Sequence, residues 1–391
     1  MNIIYIQDQE IYLCKGKYYH AKSEHFFTRF LVGMAEEDTL TVYSGINKTE
    51  DESVVARYKD ITNLRIKYVQ VPEFRKLGNV FYIFKMVKDV VKDADFCYLR
   101  SGIAASFAAI YCNKLRIPYM AVVNEDIYKN TKNHSKLIVR LSAIPLGLMT
   151  KYMVKNANYA IYVTQEYLQQ QYPCKGKILG CSDIEFLELN DENLVKRLRK
   201  IDAISKLIVL GSVGSVATRV KGQDTVIKAL AELKNEGHIG YKYQLVGTGD
   251  QNILRNLAKS LNVEDMIEFM GEYSHDNVLR WFEDIDIYLH PSRSEGLPRT
   301  IIEAMTKAAP CICSSVGGIP ELVSDEFLFS YNGNEVSDVK KLILTMTCNK
   351  MEIEAKRNYA KSKNYDPQFL EIRRNAFFEK VLERVKNSKS K

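Results

Sequence analysis

The sequence predicts an α/β protein made of two doubly wound domains that face a central cleft. Strand-like and helix-like stretches alternate along the chain, and the alternation restarts after a charged segment at residues 183–202. Alternating βα units of this length build an open parallel sheet that is covered by helices on both faces. The chain has 391 residues, which is enough for two or three domains because one domain takes roughly 150 residues.

Two series of elements can be placed in order. Strands are predicted from short runs rich in β-branched and aromatic residues, and helices from longer stretches with apolar residues at helical spacing. In the first series, strands are predicted at residues 2–6, 40–43, 65–71, 96–99, 119–123 and 160–163, and helices at 80–91 and 103–114. In the second series, strands are predicted at 206–210, 243–246, 266–269, 285–289 and 310–314, and helices at 225–235, 251–261, 277–281, 300–307 and 365–385.

The two series define the predicted domain boundaries. We assign residues 1–195 to an N-terminal domain and residues 196–365 to a second domain. Residues 366–391 are predicted to form a C-terminal helix that crosses back to the N-terminal domain. Sheets of this kind bind ligands outside the carboxyl ends of their strands, so a site is expected in the cleft between the domains.

The composition excludes several classes of protein. Hydrophobic residues make up 46% of the chain and charged residues 26%, which is ordinary for a globular protein and argues against a disordered, collagen-like or disulfide-dense chain. The longest stretches without Asp, Glu, Lys or Arg, 101–113 and 308–320, are shorter than the ~18 residues that a membrane-spanning helix needs. The N-terminus shows no signal-peptide pattern, so we expect a cytoplasmic protein.

A basic segment at residues 129–155 suggests a membrane partner. No acidic residue occurs between Ile127 and Gln165, whereas six basic residues do: Lys129, Lys132, Lys136, Arg140, Lys151 and Lys155. Apolar residues recur there at helical spacing, at Leu137, Leu141, Ile144, Leu148 and Tyr152. Such a helix suits peripheral binding to an anionic membrane surface. A core-facing helix with a solvated basic face is an equal alternative. Nucleic acid is not an expected partner, since no nucleic-acid-binding motif accompanies the charges.

Glycines and cations suited to a diphosphate follow the first strand of the second domain. Gly214 lies in the loop after this strand, and Arg219 and Lys221 follow before the next helix. Glycine lets the backbone approach a ligand closely, and the cations can neutralise phosphate charge. Gly247 begins a similar strand-to-helix turn that can present amides to a phosphate. Each loop can equally be an ordinary surface turn or helix cap.

The most informative segment runs from His290 to Glu303. Pro298 occupies the position expected for the start of a helix, Glu295 lies in the preceding loop and Glu303 about one turn into the helix. Two carboxylates can therefore flank one helix N-terminus, and each can accept two hydroxyl hydrogen bonds, as a ribose or hexose diol would offer. The alternative is that both carboxylates merely favour the positive end of the helix.

Together these motifs resemble a known family. Residues 207–323 resemble the C-terminal domain of retaining glycosyltransferases of family 4 (group 1), whose two Rossmann-like domains form the GT-B fold. The family signature, two Glu separated by seven residues, is similar to Glu295 and Glu303 here. The stretch from Asp286 to His290-Pro291-Ser292 matches the residues that precede this signature in the family. Four other motifs match in family order: Lys221-Gly222-Gln223, Gly247-Thr248-Gly249, Phe269-Met270-Gly271 and Gly317-Gly318-Ile319-Pro320-Glu321.

The resemblance implies roles for individual residues. Glu303 would bind the ribose of a nucleotide-sugar donor, Glu295 would hold hydroxyls of its sugar, and Lys221 would neutralise the departing diphosphate. The backbone of Gly296, Leu297 and Pro298 would bind sugar or phosphate, and Met270 and Gly271 would border the base. Catalysis would then be mainly charge stabilisation of the leaving group.

Two departures from the family pattern concern the phosphate and the acceptor. The family's usual Arg before the Lys is absent, and Arg219 is the nearby substitute. The usual Gly-Gly loop after the first strand is reduced to Gly16. Four residues are therefore candidates for the acceptor side: His20 and His25, each of which can equally be structural, and Glu125 and Asp126, which can orient a hydroxyl or cap the next helix.

The sequence thus predicts a retaining glycosyltransferase that moves a sugar from a nucleoside-diphosphate sugar to a lipid-linked or polysaccharide acceptor in cell-surface polysaccharide biosynthesis. We expect it on the inner face of the cytoplasmic membrane. No metal or other cofactor is expected, because Lys221 and a helix N-terminus already supply positive charge. The alternatives are another GT-B enzyme, a nucleotide-sugar epimerase or sugar phosphorylase, and a non-catalytic sugar- or nucleotide-binding subunit.

Overall fold

A computed structural model of the chain describes residues 1–20, 25–56, 58–72, 79–133, 137–185, 187–204 and 206–389. It divides into two compact units. Unit 1 comprises Met1–Glu185 together with Leu370–Lys391, and unit 2 comprises Phe186–Phe369. Each unit has its own sheet and is described by itself.

Unit 1 contains a sheet that is parallel apart from two short strands. In the described residues its strands are β1 (Asn2–Cys14), β2 (Lys17–His20), β3 (Thr39–Thr49), β4 (Lys59–Asp60), β5 (Lys67–Gln70), β6 (Phe96–Arg100), β7 (Tyr119–Val123), β8 (Tyr159–Tyr162) and β9 (Lys177–Gly180). The parallel strands follow the order β5-β3-β1-β6-β7-β8-β9, and β2 and β4 add antiparallel pairing beside β1. The central strands are rich in apolar residues because helices cover both faces of such a sheet.

The first connection in unit 1 differs from the sequence prediction. Strand β1 continues well past the predicted end at residue 6, through an irregularity in its pairing with β3, and turns back into β2. Lys15 and Gly16 form this turn with φ of 46° and 80°. Positive φ at both central residues is typical of a tight hairpin, which explains the glycine. Gly16 therefore belongs to a hairpin turn.

In the described residues, helices connect several of the strands of unit 1. They are α1 (His25–Thr28), α2 (Asn79–Lys92), α3 (Ile103–Leu115), α4 (Ile127–Lys132), α5 (Leu137–Leu141), α6 (Ala143–Lys155) and α7 (Tyr167–Gln171). Helices α2 and α3 occupy the predicted positions to within a residue at each end.

Unit 2 has a parallel sheet of six strands in its described residues. They are β10 (Ile208–Val213), β11 (Tyr241–Val246), β12 (Ile267–Gly271), β13 (Ile287–His290), β14 (Cys311–Ser314) and β15 (Leu328–Phe329). Their spatial order is β12-β11-β10-β13-β14-β15, which is the 3-2-1-4-5-6 order of the Rossmann fold. The order reverses between β10 and β13, and this reversal marks the usual place for a ligand.

Helices connect these strands and extend beyond them. They are α8 (Glu192–Asp202), α9 (Gln223–Asn235), α10 (Asn252–Ser260), α11 (His275–Asp284), α12 (Arg299–Thr306), α13 (Glu335–Thr345) and α14 (Cys348–Ser362), followed by α15 (Pro367–Lys389). Beyond its first turn, α15 groups with unit 1, where Phe378 stacks on Tyr98 with ring centroids 5.5 Å apart.

The division at Glu185 precedes the predicted boundary at residue 195 because α8 packs on unit 2. Asn193 donates to the carbonyl of Thr306, and the guanidinium of Arg197 is buried against carbonyls of the same unit. Both side chains lie on the buried face of α8. The charged segment that separates the two series of elements is thus partly a helix of unit 2.

The basic segment forms an exposed apolar surface in unit 1. Six side chains of α5 and α6 are exposed, and we call them the apolar stripe: Leu137, Ile138, Leu141, Ile144, Leu148 and Tyr152. The buried face of α6 is instead made of Ala143, Gly147, Thr150, Met153 and Val154. The apolar series read from the sequence therefore does not face the core. Among the described residues, none of the helices combines the length and hydropathy needed to cross a bilayer.

Candidate active site

The candidate site lies at the carboxyl ends of β10 and β13. The loop after β10 contains Gly214 and a 3₁₀ turn at Arg219–Lys221. The loop after β13 contains Glu295 and leads into α12 at Arg299. Because β10 and β13 are neighbouring parallel strands, these loops meet at the same edge of the sheet.

An ion pair joins the two loops. The Nζ atom of Lys221 lies 2.7 Å from Oε1 of Glu295. The Nε2 atom of His290 lies 3.1 Å from the same oxygen. The side chain of Glu295 is 14% exposed and that of Lys221 30%, so the pair is largely shielded from water yet reachable by a ligand.

The environment of Glu295 keeps it ionised. Burial by itself would raise the pKa of this carboxyl, but the hydrogen bond and charge of His290 and the charge of Lys221 lower it to about 2. Such a carboxylate can accept hydrogen bonds from sugar hydroxyls at any physiological pH. A ligand that brings its own negative charge would compete with Glu295 for Lys221.

His290 is held in one orientation. Its Nδ1 lies 3.0 Å from the hydroxyl oxygen of Tyr288, and both side chains are buried. Since the ionised Glu295 can only accept, Nε2 of His290 must carry the proton that points at it. The hydroxyl of Tyr288 is the hydrogen-bond partner of the other ring nitrogen, Nδ1. The pair fixes the position of the Glu295 carboxylate from behind.

Close backbone contacts fix the loop that contains Glu295. Gly317 has φ of 60°, and a Cβ there would lie 2.1 Å from the carbonyl oxygen of Glu295. The amide of Gly318 donates to the carbonyl of Gly296 at 2.6 Å. Only glycine fits at position 317, which accounts for that part of the Gly-Gly-Ile-Pro-Glu motif. Leu297 is half-buried and Pro298 buried at the start of α12.

Glu303 lies on the buried face of α12 and has a histidine neighbour. Its Oε1 is 3.3 Å from Nε2 of His275, the first residue of α11. The side chain of Glu303 is 10% exposed, whereas that of His275 is 49% exposed. The hydrogen bond to Glu303 raises the pKa of His275 above its usual value, against the opposite effect of partial burial.

The remaining glycine and base-site candidates lie at neighbouring strand ends. A Cβ at Gly247 would lie 1.9 Å from the carbonyl oxygen of Gly214, so the loops after β10 and β11 touch. The amide of Gly247 donates to the carbonyl of Gly271 at 2.8 Å. Met270 is half-buried at the end of β12, and a Cβ at Gly271 would meet open space. All four lie at the carboxyl edge of the sheet.

Arg219 is not joined to the ion pair. Its side chain lines a cavity of about 370 Å³ together with Asp224 and Lys228. Among the described contacts, Glu295 is paired with Lys221 and His290 and has none with Arg219. The role of Arg219 at the donor diphosphate therefore stays a prediction.

Arg293, which belongs to none of the sequence motifs, organises the same loop. It binds Asp224 through two hydrogen bonds of 2.8 and 3.0 Å and lies over the ring of Tyr331 at 4.7 Å. It also donates to the carbonyl of Arg219. The side chain therefore ties the loop after β13 to the 3₁₀ turn that carries Lys221.

The acceptor-side carboxylates lie in unit 1 and already have partners. Asp126 is buried and caps α4, accepting from the amide of Lys129 at 3.1 Å. The hydroxyls of Tyr172 and Tyr167 also donate to it, at 2.8 and 2.6 Å. This is the capping role that the sequence left open for Asp126. Glu125 is half-buried and accepts from the side chain of Asn130.

The two histidine candidates lie near the first connection of unit 1. His20 ends β2, is 2% exposed, and packs edge-on against Phe27 with ring centroids 4.9 Å apart. Its burial favours the structural role over contact with substrate. The backbone of His25 begins α1, and its side chain lies outside the described part of the chain.

In the part of the chain that the structure describes, no group of three or more His, Cys, Asp or Glu side chains is arranged to hold a metal ion.

Comparison with known proteins identifies the family. The family described as "Glycosyl transferases group 1" matches residues 195–363. Protein CapJ of Staphylococcus aureus is 30% identical over 353 residues, which cover 88% of this chain and 85% of CapJ. This chain is a group 1 glycosyltransferase. The predicted enzyme class, a nucleotide-sugar-dependent glycosyltransferase, is thereby confirmed.

Two further proteins extend the comparison for this glycosyltransferase. A Campylobacter jejuni enzyme named N,N'-diacetylbacillosaminyl-diphospho-undecaprenol alpha-1,3-N-acetylgalactosaminyltransferase is 22% identical over 80% of this chain and 83% of its own. The crystal structure of Anabaena HepE in complex with UDP superposes with a TM-score of 0.64 at 17% identity, covering 98% of this chain and 100% of HepE. The predicted GT-B fold class is confirmed. Other relatives of this glycosyltransferase are named for colanic acid biosynthesis in Escherichia coli and for amylovoran biosynthesis in Erwinia amylovora.

Proposed function

We propose that this glycosyltransferase transfers a sugar from a nucleoside-diphosphate sugar, with UDP as the nucleotide, and that it retains the anomeric configuration. Unit 2 would bind the donor and unit 1 the acceptor. The observation that carries the proposal is the Lys221–Glu295 ion pair of 2.7 Å at the strand-order reversal of unit 2. UDP is favoured over other nucleotides because HepE, which shares the fold, was solved with UDP.

The proposed roles follow from charge and hydrogen-bonding capacity. The donor diphosphate would take Lys221 from Glu295, and the released carboxylate would accept hydroxyls of the donor sugar. Gly296, Leu297 and Pro298 would line the sugar and phosphate, with Gly214 and Gly247 allowing the backbone close to the diphosphate. Glu303 would accept the ribose diol, and Met270 and Gly271 would border the base. We propose no metal cofactor, because Lys221 and the N-terminus of α12 supply the positive charge.

Replacement of Glu303 by Ala should abolish recognition of the ribose. We expect UDP at millimolar concentration to raise the melting temperature of the unaltered protein, since a ligand at about 100 times its Kd adds roughly 2.7 kcal/mol of stability. GDP and ADP are measured in parallel to test the base. The shift should disappear or shrink severalfold in Glu303→Ala, as measured by differential scanning fluorimetry.

A remote carboxylate provides the control for this experiment. Glu264 is exposed in the turn that precedes β12, at the amino edge of the sheet. Glu264→Ala should keep the full shift with UDP. An equal shift in Glu303→Ala and the unaltered protein would remove Glu303 from the donor site, and the absence of any shift with all three nucleotides would contradict the proposed donor.

The acceptor is proposed to be a lipid-linked or growing polysaccharide at the cytoplasmic face of the membrane. Relatives named for amylovoran biosynthesis and for a diphospho-undecaprenol substrate support an acceptor of this kind. The apolar stripe adds a physical reason, because Ile138 and Leu141 are 74% and 71% exposed beside Arg140 and in a segment without acidic residues. Apolar side chains flanked by cations suit the interface of an anionic bilayer.

Polar replacement of the stripe should weaken membrane binding. We expect the triple variant Leu141→Gln, Ile144→Gln, Leu148→Gln to bind phosphatidylglycerol-containing vesicles at least about tenfold more weakly, since burying each such side chain contributes about 1.5–3 kcal/mol. Sedimentation with vesicles measures the bound fraction. Turnover on a water-soluble acceptor analogue should be unchanged.

Exposed apolar residues elsewhere serve as the matched control. Ile239 and Ile353 are exposed in unit 2, and their double replacement by Gln should leave sedimentation as it was. Binding of the unaltered protein should also fall with added salt and with the omission of phosphatidylglycerol. If the stripe variant sediments as well as the unaltered protein, the membrane proposal is wrong.

A further inference from the structure

The contact between His275 and Glu303 is not the N-terminal cap of α11. Helix α11 begins at His275 and is capped by Ser274, whose hydroxyl accepts from the amide of Asn277 at 3.3 Å. The imidazole is therefore not needed as a cap. It is about half exposed and turns its Nε2 to Oε1 of Glu303 at 3.3 Å.

We propose that His275 is a positioning residue of the donor site, which orients the Glu303 carboxylate for the ribose diol. The inference rests on the proposed function, in which Glu303 binds ribose. Glu303 lies on α12 and His275 on α11, so the contact joins two elements at the carboxyl edge of the sheet. His275 acts through Glu303 and need not touch the donor itself.

The capacity of a carboxylate permits this arrangement. Each oxygen of Glu303 has two lone pairs, so Oε1 can accept from His275 and still accept from one ribose hydroxyl, while Oε2 accepts from the other. A side chain held at one oxygen loses less rotational freedom when the ligand binds. Holding Glu303 in place therefore increases affinity for the donor, and chemistry at the distant anomeric carbon is unaffected.

The charge of His275 makes the effect depend on pH. The charged groups that face its ring are Glu303 from α12 and Asp276 on its own helix. The hydrogen bond to Glu303, and the charges of both carboxylates, raise the pKa of His275 above its usual value against the effect of burial. The protonated ring is the stronger donor. Donor affinity is thus full below this pKa and falls as the pH rises through it.

Two variants and two ligands test the proposal. His275→Ala should raise the donor KM about 3- to 10-fold and leave kcat unchanged, a modest effect because the ring is partly solvated. His275→Gln can still donate a neutral hydrogen bond, so it should restore most of the affinity and remove its pH dependence between pH 6 and 8.5. His275→Ala should weaken binding of UDP, but not of 2′,3′-dideoxy-UDP, in calorimetric titrations.

A ligand-free measurement separates the inference from the proposed function. The NMR titration of the His275 ring should show a lower pKa in Glu303→Gln than in the unaltered protein. An unchanged pKa there, or equal effects of His275→Ala on UDP and 2′,3′-dideoxy-UDP, would overturn the inference. If Glu303→Ala weakens UDP binding and His275→Ala does not, the inference fails while the proposed donor site stands. If Glu303→Ala has no effect on UDP binding, both fail.

Discussion

Replacement of Lys221 by Ala should lower kcat by about 10²- to 10³-fold, as loss of one group that stabilises developing charge typically does. The ammonium of Lys221 is the cation that the structure brings to Glu295, at 2.7 Å. In the proposed reaction the diphosphate gains negative charge as the sugar leaves. A cation beside it stabilises the transition state more than the bound donor. The donor KM should therefore change less than about threefold.

A neighbouring lysine makes this prediction specific. Lys228 lies exposed on α9, two turns beyond Lys221 along the chain, and Lys228→Ala should retain full turnover. Steady-state kinetics with varied donor separate the two parameters. Equal losses in kcat and in donor affinity for Lys221→Ala would mean that Lys221 only binds the donor. The melting temperature of the variant shows whether loss of the ion pair has disturbed the fold.

The fold of unit 2 could be read from the sequence because its signals are local. Strand β11, for example, ends at Val246, directly before Gly247, and α12 starts directly after Pro298. Turn residues and helix starts of this kind need no knowledge of distant partners. The boundaries were the least accurate part, and β10 and β12 both extend beyond their predicted ends.

The extension of β1 beyond residue 6 could not be predicted from the sequence because its pairing with β3 is non-local. Residues 7–10 are polar and interrupt the apolar run of β1, which predicts a strand end. They nevertheless continue the strand, since Glu10 to Cys14 pair with β3 some 35 residues later. A partner strand supplies hydrogen bonds to any backbone, whatever the side chains, so composition alone does not reveal such an extension.

Some residues of the candidate site could be predicted from the sequence, and others could not. Lys221 and Glu295 are 74 residues apart, and the structure brings them together, as the resemblance implied for two residues of one donor site. Arg219 is predicted only from its closeness to Lys221 in sequence, and it lines a cavity with Asp224 and Lys228. Arg293 and His275 carry no motif of their own. Their contacts with Asp224 and Glu303 depend on how the helices pack, and local sequence does not specify this.

Replacement of Arg197 by Ala should remove about 3 to 5 kcal/mol from the free energy of unfolding of unit 2, because several buried hydrogen bonds to a charged group are lost together. The guanidinium is 3% exposed and donates through Nε to the carbonyl of Lys307 at 3.2 Å. It also donates to the carbonyls of Ile285 and Phe282. These carbonyl groups lie at the C-terminal ends of α12 and α11, where the last backbone carbonyls of a helix have no hydrogen-bond donor within the helix.

The chain offers a selective probe of this loss. Trp281 is the only tryptophan in the sequence and is buried on α11, so its fluorescence reports the unfolding of unit 2 in urea. Arg199→Ala, an exposed arginine on the same helix, is the matched control and should leave the midpoint unchanged. Coincident transitions for the two variants would show that water replaces the guanidinium at little cost. A lower midpoint for Arg197→Ala alone would mean that α8 stabilises the two helices that carry His275 and Glu303.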